Sequence, residues 1–127
     1  MSEMELSKAV AEEIAQTLSL EVDEVTPASN LFADLGAESI DILDLSFRCE
    51  KRFGIKMEIS KMLSPDDLAA DETGRLTPAC SAGIKARFPS LDVDAIRPAE
   101  GIASVKQVLT AAVVTDYVRL KLQAAAG

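Results

Sequence analysis

Asp34-Leu35-Gly36-Ala37-Glu38-Ser39-Ile40-Asp41 joins an acidic stretch without periodicity to an apolar-periodic one, and it puts a serine hydroxyl at the junction. From Ser39 to Phe53 the apolar residues Ile42, Leu45, Cys49 and Phe53 form one stripe at helical spacing, with Leu43 and Ser46 beside it. Gly36 marks a turn before that helix that calls for a positive φ. A hydroxyl at such a helix start is exposed, and the free backbone N–H groups beneath it favour an anion, so a phosphate esterified there is stabilised electrostatically. The plain alternative reads Ser39 as an ordinary N-cap. Ile40 and Phe47 flank the stripe and are the apolar residues best placed to stay exposed near the serine; the alternative is that both are core.

Outward from this helix the pattern stays helical. Leu6, Val10, Ile14 and Leu18 recur every four residues, which predicts an amphipathic helix over residues 4–19 with Glu12 and Glu13 turned outward. Leu20 to Glu38 reads as a long loop pinned by Val22, Val25, Leu31 and Phe32, with Thr26-Pro27 as a cap and first-turn proline. After Phe53-Gly54-Ile55, the run Ser64-Pro65-Asp66-Asp67-Leu68 predicts a brief helical turn, and Asp71-Glu72-Thr73-Gly74 breaks it. Thr77-Pro78 opens a further helix to Phe88 with Cys80, Ile84 and Phe88 on one side, and Pro89 stops it. Ser90 to Gly101 reads as a loop with a turn, and Asp92-x-Asp94 lacks the glycine-bearing ligand loop of a calcium site. Ser104 is then the expected cap of a final helix in which Val105, Val108, Leu109, Ala112, Val113, Tyr117 and Leu120 keep the same spacing. Lys121 complements that helix's dipole, and the tail from Gln123 to Gly127 is expected to fray.

Length and composition narrow the class. The 127 residues suit one domain with one core, and 48% hydrophobic content with no Trp and one Tyr favours an aliphatic helical core. Met1-Ser2-Glu3-Met4-Glu5 is not a secretory signal and no window reaches transmembrane length, so the cytoplasm is expected. Residues 1–50 hold twelve acids against Lys8 and Arg48, a net of −10, whereas residues 51–127 carry a net of +2. The acids gather around Ser39, which argues against nucleic-acid binding and for partners with basic patches; simple solubility is the bland alternative. Cys49 lies on the apolar face at i+7 from Ile42, so a buried free thiol is expected. Histidine is absent, which excludes a Ser-His hydrolase within this chain, and no lysine neighbours Ser39 in sequence.

The run Asp34-Leu35-Gly36-Ala37-Glu38-Ser39-Ile40-Asp41 resembles the acyl carrier protein family, in which the serine of D-L-G-x-D-S-[L/I]-D carries 4′-phosphopantetheine, a flexible arm whose terminal thiol holds acyl groups as thioesters. Glu38 stands where the family usually has Asp and keeps the charge. Val25 to Phe32 resembles the family's long first loop, the run to Phe53-Gly54-Ile55 its second helix, and Asp116-Tyr117-Val118 its terminal Asp-Tyr-Ile. Residues 4–63 and 102–122 carry the resemblance, with an insertion of about 64–101 between them.

The resemblance implies a single carrier domain over 1–127, an all-α up-and-down bundle with an extra inserted helix, and 4′-phosphopantetheine covalently attached at Ser39. It implies no catalytic residues and no resident metal, with docking through Glu38, Ile40, Asp41, Asp44 and Phe47, and with Glu50 on the same helix. Asp34, Glu38, Asp41 and Asp44 are also candidates to contact Mg²⁺ during loading. The implied partners are a phosphopantetheinyl transferase using coenzyme A, acyl-transferring and chain-elongating enzymes, and the acyl chain, with the protein a monomer. A specialised fatty-acid, lipid or polyketide pathway is the expected setting. Arg48, Lys51 and Arg52 depart from the family's acidic second helix, which counts against docking to the standard fatty-acid synthase enzymes. A peptidyl or aminoacyl carrier is one rival, although such carriers usually have a second glycine where this chain has Ala37-Glu38; an unmodified helical adaptor is the other. The Cys80, Ile84 and Phe88 face is expected to pack on the bundle, there either lengthening the acyl pocket or serving recognition.

Overall fold

A computed structural model describes residues 2–126. Four α-helices follow in order, α1 (Glu3–Leu18), α2 (Ser39–Phe53), α3 (Pro78–Arg87) and α4 (Ala111–Ala126), joined by loops and short 3₁₀ turns. Among the described residues no strand forms; Asn30 with Thr110 and Ala70 with Leu76 are isolated antiparallel bridges. α1, α2 and α4 pack on one another, and α3 lies against α4, which makes the expected all-α bundle with an inserted helix.

The helices end where local chemistry ends them. The Ser2 hydroxyl accepts from the Glu5 amide at 3.2 Å to cap α1, and Ser19 closes it in the left-handed region at φ 58°. Gly54 ends α2 at φ 65°, a conformation in which a β-carbon would be strained. α3 starts as Thr77-Pro78 predicts, with the Thr77 hydroxyl accepting from the Cys80 amide at 3.2 Å.

Several expectations need correction. Glu13 points inward, not outward, and is 7% exposed, because Arg52 of α2 reaches across to it at 2.8 Å and to Glu12 at 2.9 Å. Val22 is exposed, so the first loop is held by Val25 and Leu31 with Phe32 half-buried. Thr26-Pro27 opens a turn instead of a helix, closed by the Ser29 amide on the Thr26 carbonyl at 3.0 Å. The stretch after Ser90 contains 3₁₀ turns at Val93–Ala95 and Pro98–Val108, and Leu91 and Ile96 from it are buried.

The largest difference is the start of α4. Ser104 lies buried inside a 3₁₀ segment, and the α-helix begins only at Ala111, with the Val113 amide donating to the Thr110 hydroxyl at 3.3 Å. The break exists because the first loop takes hydrogen bonds there. The Leu31 amide donates to the Leu109 carbonyl at 3.0 Å, and the Ala111 and Ala112 amides donate to the Ser29 and Pro27 carbonyls at 3.0 Å each. At the far end α4 runs to Ala126 through three successive alanines, good helix formers. Met1 and Gly127 lie outside the described residues.

The insertion joins the core. Ile84, Phe88 and Leu91 are fully buried, Phe88 meets Tyr117 of α4 edge to face with ring centres 5.8 Å apart, and the Ser90 amide donates to Asp116 at 2.7 Å. The Arg87 guanidinium reaches Asp67 at 2.9 Å and ties the end of α3 to the Pro65–Leu68 turn.

Candidate functional site

Asn30 shapes the approach to α2. Its buried side chain accepts from the Phe32 and Ala33 amides at 2.9 Å each and donates to the carbonyls of Gln107 at 2.9 Å and Lys106 at 3.3 Å. Its own amide donates to the Asp34 carboxylate at 2.8 Å. Gly36 then turns at φ 73°, and the Ala37 amide returns to the Leu31 carbonyl at 2.8 Å. The loop is thus fixed before the helix begins.

The neighbours of Ser39 do the capping. Glu38 is the N-cap, its amide donating to the Asp41 carboxylate at 2.8 Å, and its carbonyl takes the amides of Asp41 at 3.0 Å and Ile42 at 3.2 Å. Ser39 is the first helical residue, exposed, with no hydrogen bond to its hydroxyl among the described residues. The reading of Ser39 as an ordinary N-cap is therefore overturned: Glu38 is the N-cap, and the Ser39 hydroxyl takes no part in the capping.

Beside that hydroxyl lies an apolar cavity of about 120 Å³. Ile42 of α2 forms one wall, Ile59, Met62 and Leu63 a second, and Val105 and Leu109 a third. Ser39, Ser60 and Lys106 are its polar lining residues, and the Lys106 ammonium sits over the Phe32 ring at 5.4 Å. Among the described residues none from 64 to 100 lines this cavity, so of the two roles left open for the inserted helix, the lining gives no support to lengthening the pocket. The Cys80, Ile84 and Phe88 side of α3 is spent on α4 and the core instead.

Along α2 the candidate docking residues have unequal freedom. Ile40 is 71% exposed and Phe47 56%, and Leu43 between them is 55% exposed, so three apolar side chains form a ridge leading from Ser39. Leu43 was read as lying beside the buried stripe; it belongs to the exposed ridge. Asp41 is bound to the Glu38 amide, and Asp44 is paired with Arg48 at 3.1 Å, whose guanidinium also reaches Gln16 at 3.3 Å. Glu50 accepts from the Met57 amide at 2.9 Å and holds the link after the helix. Among the described residues, no three His, Cys, Asp or Glu side chains gather as a metal ion would need. The acids that sequence places around Ser39 are therefore a surface field, each already tied to its own neighbour.

Sequence reasoning reached Ser39, Glu38, Ile40, Asp41, Asp44 and Phe47, but it missed Asn30, Lys106 and the Met62, Val105 and Leu109 walls. Apolar spacing marked Val105 and Leu109 as core without telling what they face. Nothing local distinguishes Asn30 from any other loop asparagine.

The site fits a phosphopantetheine arm. An exposed hydroxyl with no internal partner is esterified without breaking a hydrogen bond, and an apolar cavity beside it can take hydrocarbon. The comparisons bear on the family and its cofactor. The sequence profile of the phosphopantetheine attachment site family matches residues 8–73, just over half of the chain and including Ser39. Acyl carrier protein AcpXL of Mesorhizobium japonicum is 44% identical over 52 residues, 41% of this chain and 56% of that protein. The acyl carrier protein of Petrotoga mobilis is 40% identical over 58 residues, 46% of this chain and 68% of that protein. That of Campylobacter hominis is 34% identical over 68 residues, 51% of this chain and 86% of that protein. The chain spans just over half the length of the AcpXL relatives it matches. A covalently attached 4′-phosphopantetheine is the cofactor that goes with this match. With the helical bundle, the turn into α2 and the matched profile in agreement, the chain belongs to the acyl carrier protein family.

Proposed function

We propose that Ser39 is the attachment residue for 4′-phosphopantetheine, and that the chain carries acyl intermediates as thioesters in a specialised fatty-acid, lipid or polyketide pathway. One observation carries this reading: the unbonded Ser39 hydroxyl stands at the first turn of α2 beside an apolar cavity. The arm supplies a thiol on a flexible tether, and the chain's own residues do the rest. Ile42, Met62, Leu63 and Val105 offer shelter to hydrocarbon, while Glu38, Asp41 and the Ile40, Leu43 and Phe47 ridge offer a face to enzymes. Tethering keeps the thioester at high effective concentration near each docked enzyme. The chain makes and breaks no bonds on its own account.

A phosphopantetheinyl transferase using coenzyme A is the loading partner, and acyl-transferring and chain-elongating enzymes follow. The specialised setting is supported by the AcpXL name of several relatives and by Arg48, Lys51 and Arg52 on the docking helix. We read the whole chain as one carrier domain, because Leu68, Ile84, Phe88 and Ile96 of the insertion share a single core with Val10, Leu45 and Val113. The working form is a monomer in the cytoplasm; among the described residues no helix is long and apolar enough to cross a membrane.

Intact-mass measurement after incubation with a broad-specificity transferase, Mg²⁺ and coenzyme A tests this. The wild type should gain one phosphopantetheinyl group and Ser39→Ala none, with the circular dichroism of the variant unchanged. Modification of Ser39→Ala would move the site. No modification of the wild type, in vitro or from its native host, would make the chain an adaptor.

A further inference from the structure

We propose that the Lys106 ammonium is the counter-ion of the phosphodiester at Ser39 and steers the arm toward the apolar cavity. The inference rests on Ser39 being the attachment residue. Between Asp34 and Asp44 the chain carries four carboxylates, Asp34, Glu38, Asp41 and Asp44, and no base. A phosphodiester joined to Ser39 adds a permanent negative charge to that field, and exposed like charges at this spacing repel. Among the described residues Lys106 is the one basic residue lining the cavity that Ser39 lines.

Three features fit Lys106 to that task. Among the described residues its ammonium forms no ion pair; it lies over the Phe32 ring, itself part of the cavity lining. Arg48, Arg52, Arg87 and Arg119, by contrast, are each paired with a carboxylate. The Lys106 backbone is also held in place, because its carbonyl and that of Gln107 accept from the Asn30 side chain in the loop that leads to Ser39. The cation and the hydroxyl therefore belong to two segments that one asparagine locks together. Lysine suits the role, since a compact ammonium on a flexible stem can leave the ring face and follow a mobile anion.

The prediction is a paired set of loaded proteins: wild type, Lys106→Gln, Lys106→Arg and, as a surface control on α3, Lys85→Gln. Lys106 is exposed and its fixed part is backbone, so the variants keep the fold. Phosphorus NMR of the loaded proteins reads the linkage directly. In the wild type and in Lys106→Arg the phosphorus resonance should be shifted from that of free phosphopantetheine and should move toward it as salt screens the pair. In Lys106→Gln it should start near the free position and show little salt dependence, and Lys85→Gln should match the wild type. Hydroxylamine release of a long-chain acyl thioester should run up to about fivefold faster in Lys106→Gln, the ceiling for an exposed ion pair. Loaded Lys106→Gln indistinguishable from wild type in phosphorus shift and salt dependence would overturn the Lys106 assignment alone. A wild type that takes up no arm, or takes it at another residue, would overturn both this inference and the proposed function.

Discussion

Cys49 of α2 lies in the core with no exposed surface, and burial pushes its thiol up to about 12 from an ordinary 9.0, with the nearby Glu13 charge of α1 adding to the shift. A thiol raised in the folded state stabilises the fold fully below about 9, where the unfolded thiol is protonated too, and that contribution drains away as pH climbs toward 12. Cys80 is half-buried on α3 with its Sγ 3.7 Å from the Asp66 carbonyl. A disulfide-exchange reagent at pH 8 should therefore label Cys80 in the native protein and reach Cys49 only on unfolding, as peptide mapping would locate. Equal labelling rates at the two cysteines would show that the core around Cys49 opens far more readily than its packing implies. The buried thiol was legible from spacing, since position i+7 from Ile42 is a core position on any helix. Ser39 was legible as a candidate, but its freedom from capping was not, because the choice between Ser39 and Glu38 as N-cap turns on a one-residue difference in where the helix begins. Glu13 was misread because an apolar-face pattern contains no sign of an arginine reaching over from another helix.

α2 carries both charges that hold the bundle and charges that the proposed docking would use. Arg52 is committed to Glu12 and Glu13 across the α1 interface, and Arg48 takes Asp44 within the helix. A basic docking patch must displace Arg48 before it can use Asp44, whereas Asp41 and Glu38 stand beyond that guanidinium, next to Ser39. A double-mutant cycle on transferase binding, by calorimetry at low salt, should expose the coupling. Asp44→Asn should weaken binding less in the wild type than in an Arg48→Gln background, and Arg48→Gln alone should tighten binding by about two- to fivefold. High salt should shrink both effects. Equal cost of Asp44→Asn in the two backgrounds would remove Arg48 from the docking account. The ends of α2 and α3 were readable because Gly54, Thr77-Pro78 and Pro89 are local signals. The start of α4 was not, because the residues that break it, Pro27, Ser29, Asn30 and Leu31, lie some eighty positions earlier in the chain. An apolar repeat continues through Val105, Val108 and Leu109 whether the backbone is α or 3₁₀, and only the long-range carbonyl and amide partners decide.

At the scale of the whole molecule, the insertion behaves as a buttress. Phe88, Leu91 and Ile96 are buried, and Asp116 of α4 holds both the Ser90 amide at 2.7 Å and the Arg119 guanidinium at 3.0 Å. Tyr117 meets Phe88 with its ring and donates its hydroxyl to the Glu58 carbonyl at 3.2 Å, so one residue of α4 ties the insertion to the link after α2. Composition and periodicity foresaw that the α3 stripe needs a partner; they could not say which face of the bundle supplies it. Because none of the described residues from 64 to 100 lines the Ser39 cavity, stability and the proposed shelter of the acyl group should separate on mutation. Phe88→Ala empties a fully buried site and should cost about 3–5 kcal/mol. The core is continuous across the insertion, so denaturant unfolding should remain one transition at a lower midpoint, read alike by far-ultraviolet dichroism and by Tyr117 fluorescence. Well below that midpoint, loading at Ser39 and protection of a long-chain thioester should match the wild type. Two separated transitions would make the insertion an independent unit resting on the bundle. A loss of long-chain protection while short-chain protection holds would return α3 to the acyl pocket, by a route that passes through the Val105 and Leu109 wall.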